Sequence, residues 1–124
     1  MPFTPSVMDE CYDDYIINPK EIDSSFMTIT FDTTELGRSH LKAAVHPYDY
    51  TARPQKVTKE ACPVYYQLIQ KFKEISGIGA LLNTSLNIHG RPIVAQPTDL
   101  LNEILKEGIP LKYILIDKNF YMRK

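Results

Sequence analysis

The chain has 124 residues, of which 44% are hydrophobic and 23% are charged, and its formal net charge is -1. This composition is typical of one ordinary soluble globular domain, which we expect to span residues 1–124. The near-zero charge gives no electrostatic reason to expect a nucleic-acid or membrane partner, and no apolar run approaches the ~20 residues that cross a bilayer. The N-terminus lacks a signal-peptide pattern, and Cys11 and Cys62 match no metal-ligand spacing. We therefore expect a cytoplasmic protein with reduced thiols.

The first half of the chain predicts short elements. Pro2 and Pro5 favour an extended start, and Ser6 is a candidate N-cap for a helix that reaches about Tyr15. Further segments are predicted from alternation and turn residues. In order, they are a strand over 26–31, a helix or loop over 33–41, a short strand over 43–46, a loop over 47–54 and an extended piece over 55–57.

The second half predicts longer elements. Apolar residues recur at helical spacing after Thr58, a candidate N-cap, and Gly77 supplies the C-terminal stop. An apolar run over 79–82 predicts a buried strand. Strands interleaved with helices predict an α/β or mixed α+β fold. The remaining elements are a helix that starts at Pro97 and ends at Gly108, and two strands, over 113–116 and 120–122, that pair across a turn.

Polar side chains follow the strand predicted at 79–82. Asn83, Ser85 and Asn87 are spaced two residues apart, and on an extended backbone they would line one wall. Their amide and hydroxyl groups suit phosphate or carboxylate oxygens, and ligands of open α/β sheets bind beyond strand ends. The alternative is turn chemistry, because Asn and Ser favour turns without any ligand. The residues alone leave both interpretations open.

Two arginines offer a fixed positive charge. Arg53 lies in a loop between two extended segments, where it could bind an anion or form a surface ion pair. Arg91 follows Gly90 and either contacts an anion or closes a turn. The three histidines have no partners at metal-ligand spacing, so we predict no metal site. Composition and spacing therefore indicate a small α/β domain with a candidate anion site.

Several blocks of residues occur in a fixed order along nearly the whole chain. They are Pro-Phe-Thr-Pro-Ser-Val at 2–7, Ser-Phe-Met at 25–27, Asp-Tyr-Thr-Ala-Arg-Pro-Gln at 49–55, Pro-Val-Tyr-Tyr-Gln-Leu-Ile at 63–69, Leu-Leu-Asn-Thr-Ser-Leu-Asn-Ile-His-Gly-Arg-Pro-Ile-Val at 81–94 and Pro-Thr-Asp at 97–99. In order and separation, these blocks resemble the C-terminal domain of the carbamoyltransferase family that includes the nodulation and antibiotic O-carbamoyltransferases. A resemblance carried by several ordered blocks is more specific than a single motif.

The resemblance implies a fold and a reaction. The fold would be YrdC-like, a twisted open sheet flanked by helices, in a version shortened at its N-terminus. The domain would bind ATP and carbamoyl phosphate and form carbamoyl adenylate, with Mg²⁺ as an optional companion of the nucleotide. A separate sugar-kinase-like transferase domain or chain would then pass the carbamoyl group to a hydroxyl acceptor.

The same resemblance implies roles for individual residues. Arg53, Asn83 and Ser85 would be catalytic and would hold the phosphate and carbamoyl groups. Asn83 would recognise the planar carbamoyl group through paired amide hydrogen bonds. The further substrate- or nucleotide-binding residues would be Thr51, Asn87 and Arg91.

The chain also departs from the family pattern. The family has a Lys and an Arg just before the first block, and here Met1 takes the Arg position. Tyr50 replaces a glycine, Arg91 replaces a glutamate, and the larger transferase domain is absent from the sequence. We therefore expect the isolated chain to be inactive as an enzyme. The alternative is a non-catalytic module, derived from that domain, which binds a nucleotide, an anion or a partner.

Overall fold

The computed structural model describes residues 3–87, 90–107 and 111–123, with the backbone alone for 103–107. These residues form two compact units, one up to residue 84 and the other from residue 85. Short sheets alternate with helices, which confirms the mixed α+β class. A YrdC-like arrangement and a single domain over residues 1–124 stay predictions.

Most elements of the first unit are short, apart from one helix of 14 residues. In chain order they are β1 (Thr4–Met8), a 3₁₀ helix (Asp9–Cys11), α1 (Tyr12–Tyr15), β2 (Ile16–Ile17), β3 (Phe31–Thr33), α2 (Glu35–His40), β4 (Thr51–Ala52), β5 (Gln55–Val57), α3 (Pro63–Ser76) and β6 (Ala80–Asn83). The second unit contains α4 (Pro97–Glu107), β7 (Tyr113–Ile116) and β8 (Asn119–Met122).

Strand β1 is the centre of the first sheet, where β5 pairs with it in parallel and β6 antiparallel. All five of its residues are buried. Since successive side chains of a strand point to opposite faces, both faces of β1 must be covered. The register places Ser6 opposite Gln55 and Thr4 opposite Asn83. Three strands thus bring polar residues from distant parts of the chain together.

The hydrophobic core of the first unit joins this sheet to the helices. Val7 of β1 and Ile69 of α3 are completely buried, and Tyr12 and Ile16 are nearly so. Burying a side chain of this size stabilises the fold by ~1.5–3 kcal/mol. The core therefore holds β1 firmly in place beneath the polar residues at the sheet edge.

Helix α3 confirms the predicted helix, although it starts later than expected. Pro63 occupies the first turn, where its missing N–H removes no helical hydrogen bond. Gly77 ends the helix in the left-handed conformation, with a φ of +77°, as predicted. Thr58 as N-cap is wrong, because its hydroxyl accepts from the Ala61 N–H in the turn that precedes the helix.

Helix α2 settles the ambiguity over residues 33–41 in favour of a helix. Thr34 is its N-cap: the hydroxyl oxygen accepts from the Gly37 N–H at 2.9 Å. The same hydroxyl donates to the carbonyl oxygen of Asp14 at 2.6 Å, which ties α2 to α1. Strand β3 precedes this cap and pairs with both β2 and β4 in a second sheet.

Three predicted elements of the first half are wrong. Ser6 lies inside β1 and caps no helix. The predicted strand over 26–31 overlaps β3 only at Phe31, and Met27 has a φ of +57° that no strand adopts. Residues 43–46 form no strand: residues 41–44 are a turn, in which the N–H groups of Ala44 and Val45 donate to the carbonyl oxygen of Leu41. For Ser6, pairing with β5 and β6 outweighs the local pattern.

The second unit contains the predicted helix and hairpin. Tyr113 pairs with Met122 and Ile116 with Asn119, so β7 and β8 are joined by a tight turn in which Asp117 has a φ of +53°. Gly108, the predicted end of α4, lies outside the described residues. In the ranges that the structure describes, no helix is long and apolar enough to cross a membrane.

We predict that Gly37→Ala destabilises the protein. A β-carbon at this position would lie well inside van der Waals contact of the backbone carbonyl oxygen of Tyr15. Since backbone cannot move aside without disturbing α1, the free energy of unfolding should fall by about 1–3 kcal/mol. Urea unfolding measures the change, with the exposed Ser39→Ala in the same helix as control, which should shift it by less than ~0.5 kcal/mol. Equal effects of the two substitutions would contradict the close approach.

We also predict a pH dependence from Tyr66, whose hydroxyl donates to Glu10. This hydrogen bond, together with burial, raises the pKa of Tyr66 from 10.0 to about 12. The folded state therefore favours the protonated phenol. The resulting stability is complete below about pH 10 and is lost as the pH rises through 12. The stability difference between wild type and Tyr66→Phe should shrink over that range, whereas Tyr48→Phe, at an exposed position, should show no such trend.

Candidate functional site

Arg53 is held on a short, well-anchored link between β4 and β5. Its neighbours Ala52 and Pro54 are buried, while Arg53 itself is exposed. Within the described ranges, its guanidinium makes no hydrogen bond or ion pair. The predicted loop position is confirmed, and the surface ion pair is not what the described residues show. The chain thus presents a cation from a fixed backbone.

The preceding turn is organised by Asp49. Its carboxylate accepts hydrogen bonds from the Thr51 N–H at 3.0 Å and from the Thr51 hydroxyl at 2.8 Å. His46 Nδ1 lies 3.1 Å from the same oxygen. The bonds from Thr51, followed by the nearby His46, hold the pKa of the Asp49 carboxyl below its usual value. Because the Thr51 hydroxyl proton is donated to Asp49, Thr51 contributes by shaping the turn before Arg53.

Tyr50 stands where the resembling family has glycine, and its backbone explains that preference. Its φ is +57°, in the left-handed region that glycine adopts without steric cost. Two contacts hold it there: the Thr33 hydroxyl donates to its carbonyl oxygen at 2.5 Å, and the Arg38 guanidinium lies 4.6 Å from its ring centroid. The tyrosine therefore retains the glycine-like turn.

Asn83 lies at the end of β6 in a polar cluster that we define as Ser6, Gln55, Asn83 and Met27. The Asn83 amide nitrogen is 3.1 Å from Ser6 Oγ, 3.3 Å from Gln55 Oε1 and 3.7 Å from Met27 Sδ. The Ser6 hydroxyl, fully buried, donates to Gln55 Oε1 at 2.8 Å. The Asn83 N–H groups point into the cluster, so the amide would have to turn to form paired hydrogen bonds with a ligand, and that role stays a prediction.

Sequence reasoning did not assign Ser6, Gln55 or Met27 to the site. A signal was present, since each belongs to one of the sequence blocks that carry the family resemblance. What the sequence lacked was the strand register, which places Gln55 opposite Ser6.

Ser85, Asn87 and Arg91 belong to a loop of the second unit. Strand β6 ends at Asn83 and residues 86–87 form a bend, so the single extended wall expected for Asn83, Ser85 and Asn87 is wrong. The Ser85 hydroxyl donates to Asn87 Oδ1 at 2.5 Å, and Asn87 Nδ2 donates to the Arg91 carbonyl oxygen at 3.0 Å. The loop is closed further by the Val94 N–H on the Leu86 carbonyl oxygen, at 2.9 Å. Of the two interpretations that the sequence left open for Ser85 and Asn87, these bonds are those expected of residues that stabilise a turn.

The predicted site residues thus fall into two groups. Thr51, Arg53 and Asn83 lie in the first unit, where Gln55 connects the end of β6 to the segment that carries Arg53. Ser85, Asn87 and Arg91 lie in the second unit. Convergence of Arg53, Asn83 and Ser85 on one ligand stays a prediction. Among the residues described, no group of three or more His, Cys, Asp or Glu side chains could hold a metal ion.

Comparison with known proteins matches the sequence to the family described as carbamoyltransferase C-terminus over residues 1–124. The chain belongs to this family. It is 39% identical over 106 residues to an uncharacterized protein of Methanocaldococcus jannaschii, covering 86% of the chain and 20% of that protein. It is 32% identical over 121 residues to the nodulation protein NolNO of Sinorhizobium fredii, covering 94% of the chain and 18% of that protein.

A third relative carries the name of an enzyme. The 3'-hydroxymethylcephem-O-carbamoyltransferase of Amycolatopsis lactamdurans is 35% identical over 71 residues, which cover 57% of the chain and 14% of that protein. The family member described here spans about a fifth of the length of the M. jannaschii relative. Its fold and site therefore correspond to one part of much longer proteins.

We predict that Tyr50→Gly is more stable than Tyr50→Ala. Both variants lose the contact between Arg38 and the ring, but only alanine keeps the steric cost of a positive φ. The difference in the free energy of unfolding should be about 1 kcal/mol in favour of glycine. Denaturant unfolding measures it. At the helical position Ser39 the order should reverse, since glycine costs about 1 kcal/mol relative to alanine in a helix. The same order at both positions would contradict the strained turn.

Proposed function

We propose that this domain binds ATP and carbamoyl phosphate and holds the carbamoyl adenylate formed from them, as the C-terminal domain of a carbamoyltransferase. The main support is the exposed Arg53 guanidinium, which lies two residues from a Gln55–Asn83 polar cluster in a chain of the carbamoyltransferase C-terminus family. An anion and an amide-bearing ligand fit these donors and acceptors. The nucleotide would bring its own Mg²⁺.

The residues suit the proposed chemistry. Hydrolysis of carbamoyl phosphate gives carbamate and inorganic phosphate. A carbamate oxygen then attacks the α-phosphorus of ATP, the bond to the β-phosphate oxygen breaks, and pyrophosphate leaves. Negative charge develops on the phosphoryl oxygens during this step. Arg53 stays charged at any working pH and can bind two oxygens at once, so it would stabilise that charge.

Transfer to a hydroxyl acceptor requires protein outside this chain. Since the family member spans about a fifth of its longer relative, we propose that a sugar-kinase-like transferase domain or chain provides the acceptor site. Roles for Ser85, Asn87 and Arg91 in binding the nucleotide or the substrate stay a prediction.

A second candidate function is a partner-interaction module without turnover. Helix α3 carries an exposed apolar stripe at helical spacing, in which Val64 is 78% and Ile75 is 87% exposed. Apolar surface of this kind marks protein interaction sites. If the chain released pyrophosphate in a reaction that needs both ATP and carbamoyl phosphate, it would turn over substrate, and this second function would be wrong.

We predict that millimolar ATP and carbamoyl phosphate raise the melting temperature of the full chain, since a ligand selective for the folded state stabilises it. Arg53→Ala should weaken binding by about tenfold to a hundredfold, because it removes a charge-assisted hydrogen bond worth roughly 1.5–3 kcal/mol. Lys20→Ala serves as the control, because it removes an exposed cation that is distant from Arg53 in the sequence. An unchanged melting temperature in wild type, or equal binding by Arg53→Ala, would contradict the proposal.

A further inference from the structure

The polar cluster fixes which end of the Asn83 amide faces inwards. Met27 Sδ lies 3.7 Å from Asn83 Nδ2. A thioether sulfur accepts hydrogen bonds but cannot donate them, so it selects the nitrogen of the amide over the oxygen. Met27 lies in the loop before β3, with a backbone φ of +57°.

The hydroxyl of Ser6 makes the same selection. Ser6 has one proton, and it is donated to Gln55 Oε1 at 2.8 Å. The remaining lone pairs of Ser6 Oγ accept from Asn83 Nδ2 at 3.1 Å, and Gln55 Oε1 accepts from it at 3.3 Å. Both N–H groups of Asn83 are therefore committed to three acceptors inside the cluster.

In the described part of the chain, the side-chain oxygen of Asn83, Oδ1, is left without a hydrogen-bond donor. Asn83 is half-buried, and among the described residues no donor reaches its Oδ1. An amide oxygen accepts hydrogen bonds from N–H and O–H groups. It cannot form a hydrogen bond with an ionised phosphate oxygen, because both atoms are acceptors. This side chain is therefore matched to the amine of a carbamoyl group, while Arg53 is matched to the phosphate.

We infer that Asn83 Oδ1 selects the –NH₂ of the carbamoyl ligand, and that Gln55 is the positioning residue that turns this oxygen towards it. The inference rests on the proposed function and deepens it. Asn83 would accept a hydrogen bond from the amine of the ligand, and Arg53 would donate hydrogen bonds to its phosphate. It also makes the domain selective for carbamoyl phosphate over acyl phosphates of equal charge that carry a methyl group instead of the amine.

Binding of two small ligands to the full chain tests the selection. Carbamoyl phosphate and acetyl phosphate differ at the –NH₂, so the ratio of their dissociation constants isolates the contact while the effect of net charge cancels. Wild type should prefer carbamoyl phosphate by about tenfold, the value of one hydrogen bond to a half-buried acceptor. In Asn83→Ala the ratio should fall to within about twofold of unity. A wild type without preference, or an Asn83→Ala that retains it, would overturn the inference.

Two variants of Gln55 test positioning. Gln55→Glu keeps an inward oxygen that accepts from Ser6 and Asn83, so the preference should survive even though the added charge weakens both ligands. Gln55→Leu removes that acceptor and should lose the preference. A purely structural role for Gln55 would change stability without changing the ratio, and equal ratios in the two variants would overturn the inference. This pair also decides the matter if Asn83→Ala fails to fold.

The outcomes separate the inference from the proposed function. If wild type binds both acyl phosphates equally, the anion site stands and the selection by Asn83 is wrong. If wild type binds neither at millimolar concentration, the proposed function fails and the inference fails with it.

Discussion

The hydroxyl of Ser6 lies in the central strand of the first sheet without access to solvent, and the candidate site is organised around its hydrogen bonds. A buried polar group without a partner costs about 1–3 kcal/mol. Gln55 of β5 accepts a hydrogen bond from the Ser6 hydroxyl, and Asn83 of β6 donates one to it. Three segments that are far apart in sequence therefore meet at one hydroxyl. The orientation of the Asn83 side chain follows from this internal requirement.

The segment that carries Arg53 is fixed by a different set of bonds. Asp49 closes the turn through Thr51, and Tyr50 accepts a left-handed backbone that two neighbours hold in place. Buried residues on either side of Arg53 leave its side chain as the part that faces outwards. Because the flanking residues are already buried, binding of an anion to Arg53 would require ordering of its side chain but little ordering of the backbone.

Membership of the carbamoyltransferase C-terminus family gives these features their context. The longer relatives include nodulation and O-carbamoyltransferase proteins, of which this domain corresponds to a small part. The proposed binding of carbamoyl phosphate would need two kinds of contact, a positive charge for the phosphate and an acceptor for the amine. The first unit contains a residue of each kind, joined through Gln55 to one sheet.

The sequence by itself determined the mixed α+β class, α3 with its Gly77 stop, the strand before Asn83, α4 and the C-terminal hairpin, because periodicity and turn residues act over a few neighbouring positions. It also identified Arg53 as a loop cation and, through ordered blocks, the family. Only the tertiary structure decided that Ser6 belongs to a strand, that residues 43–46 turn, and that Ser85 and Asn87 bond to each other within a loop. The inward orientation of the Asn83 amide also depended on it. The strand position of Ser6 and the orientation of Asn83 arise from strand register and burial, which join residues up to 77 positions apart and leave no trace in local spacing. The turn near residues 43–46 and the Ser85–Asn87 bond are local, but their residue types are equally compatible with a strand or a ligand site.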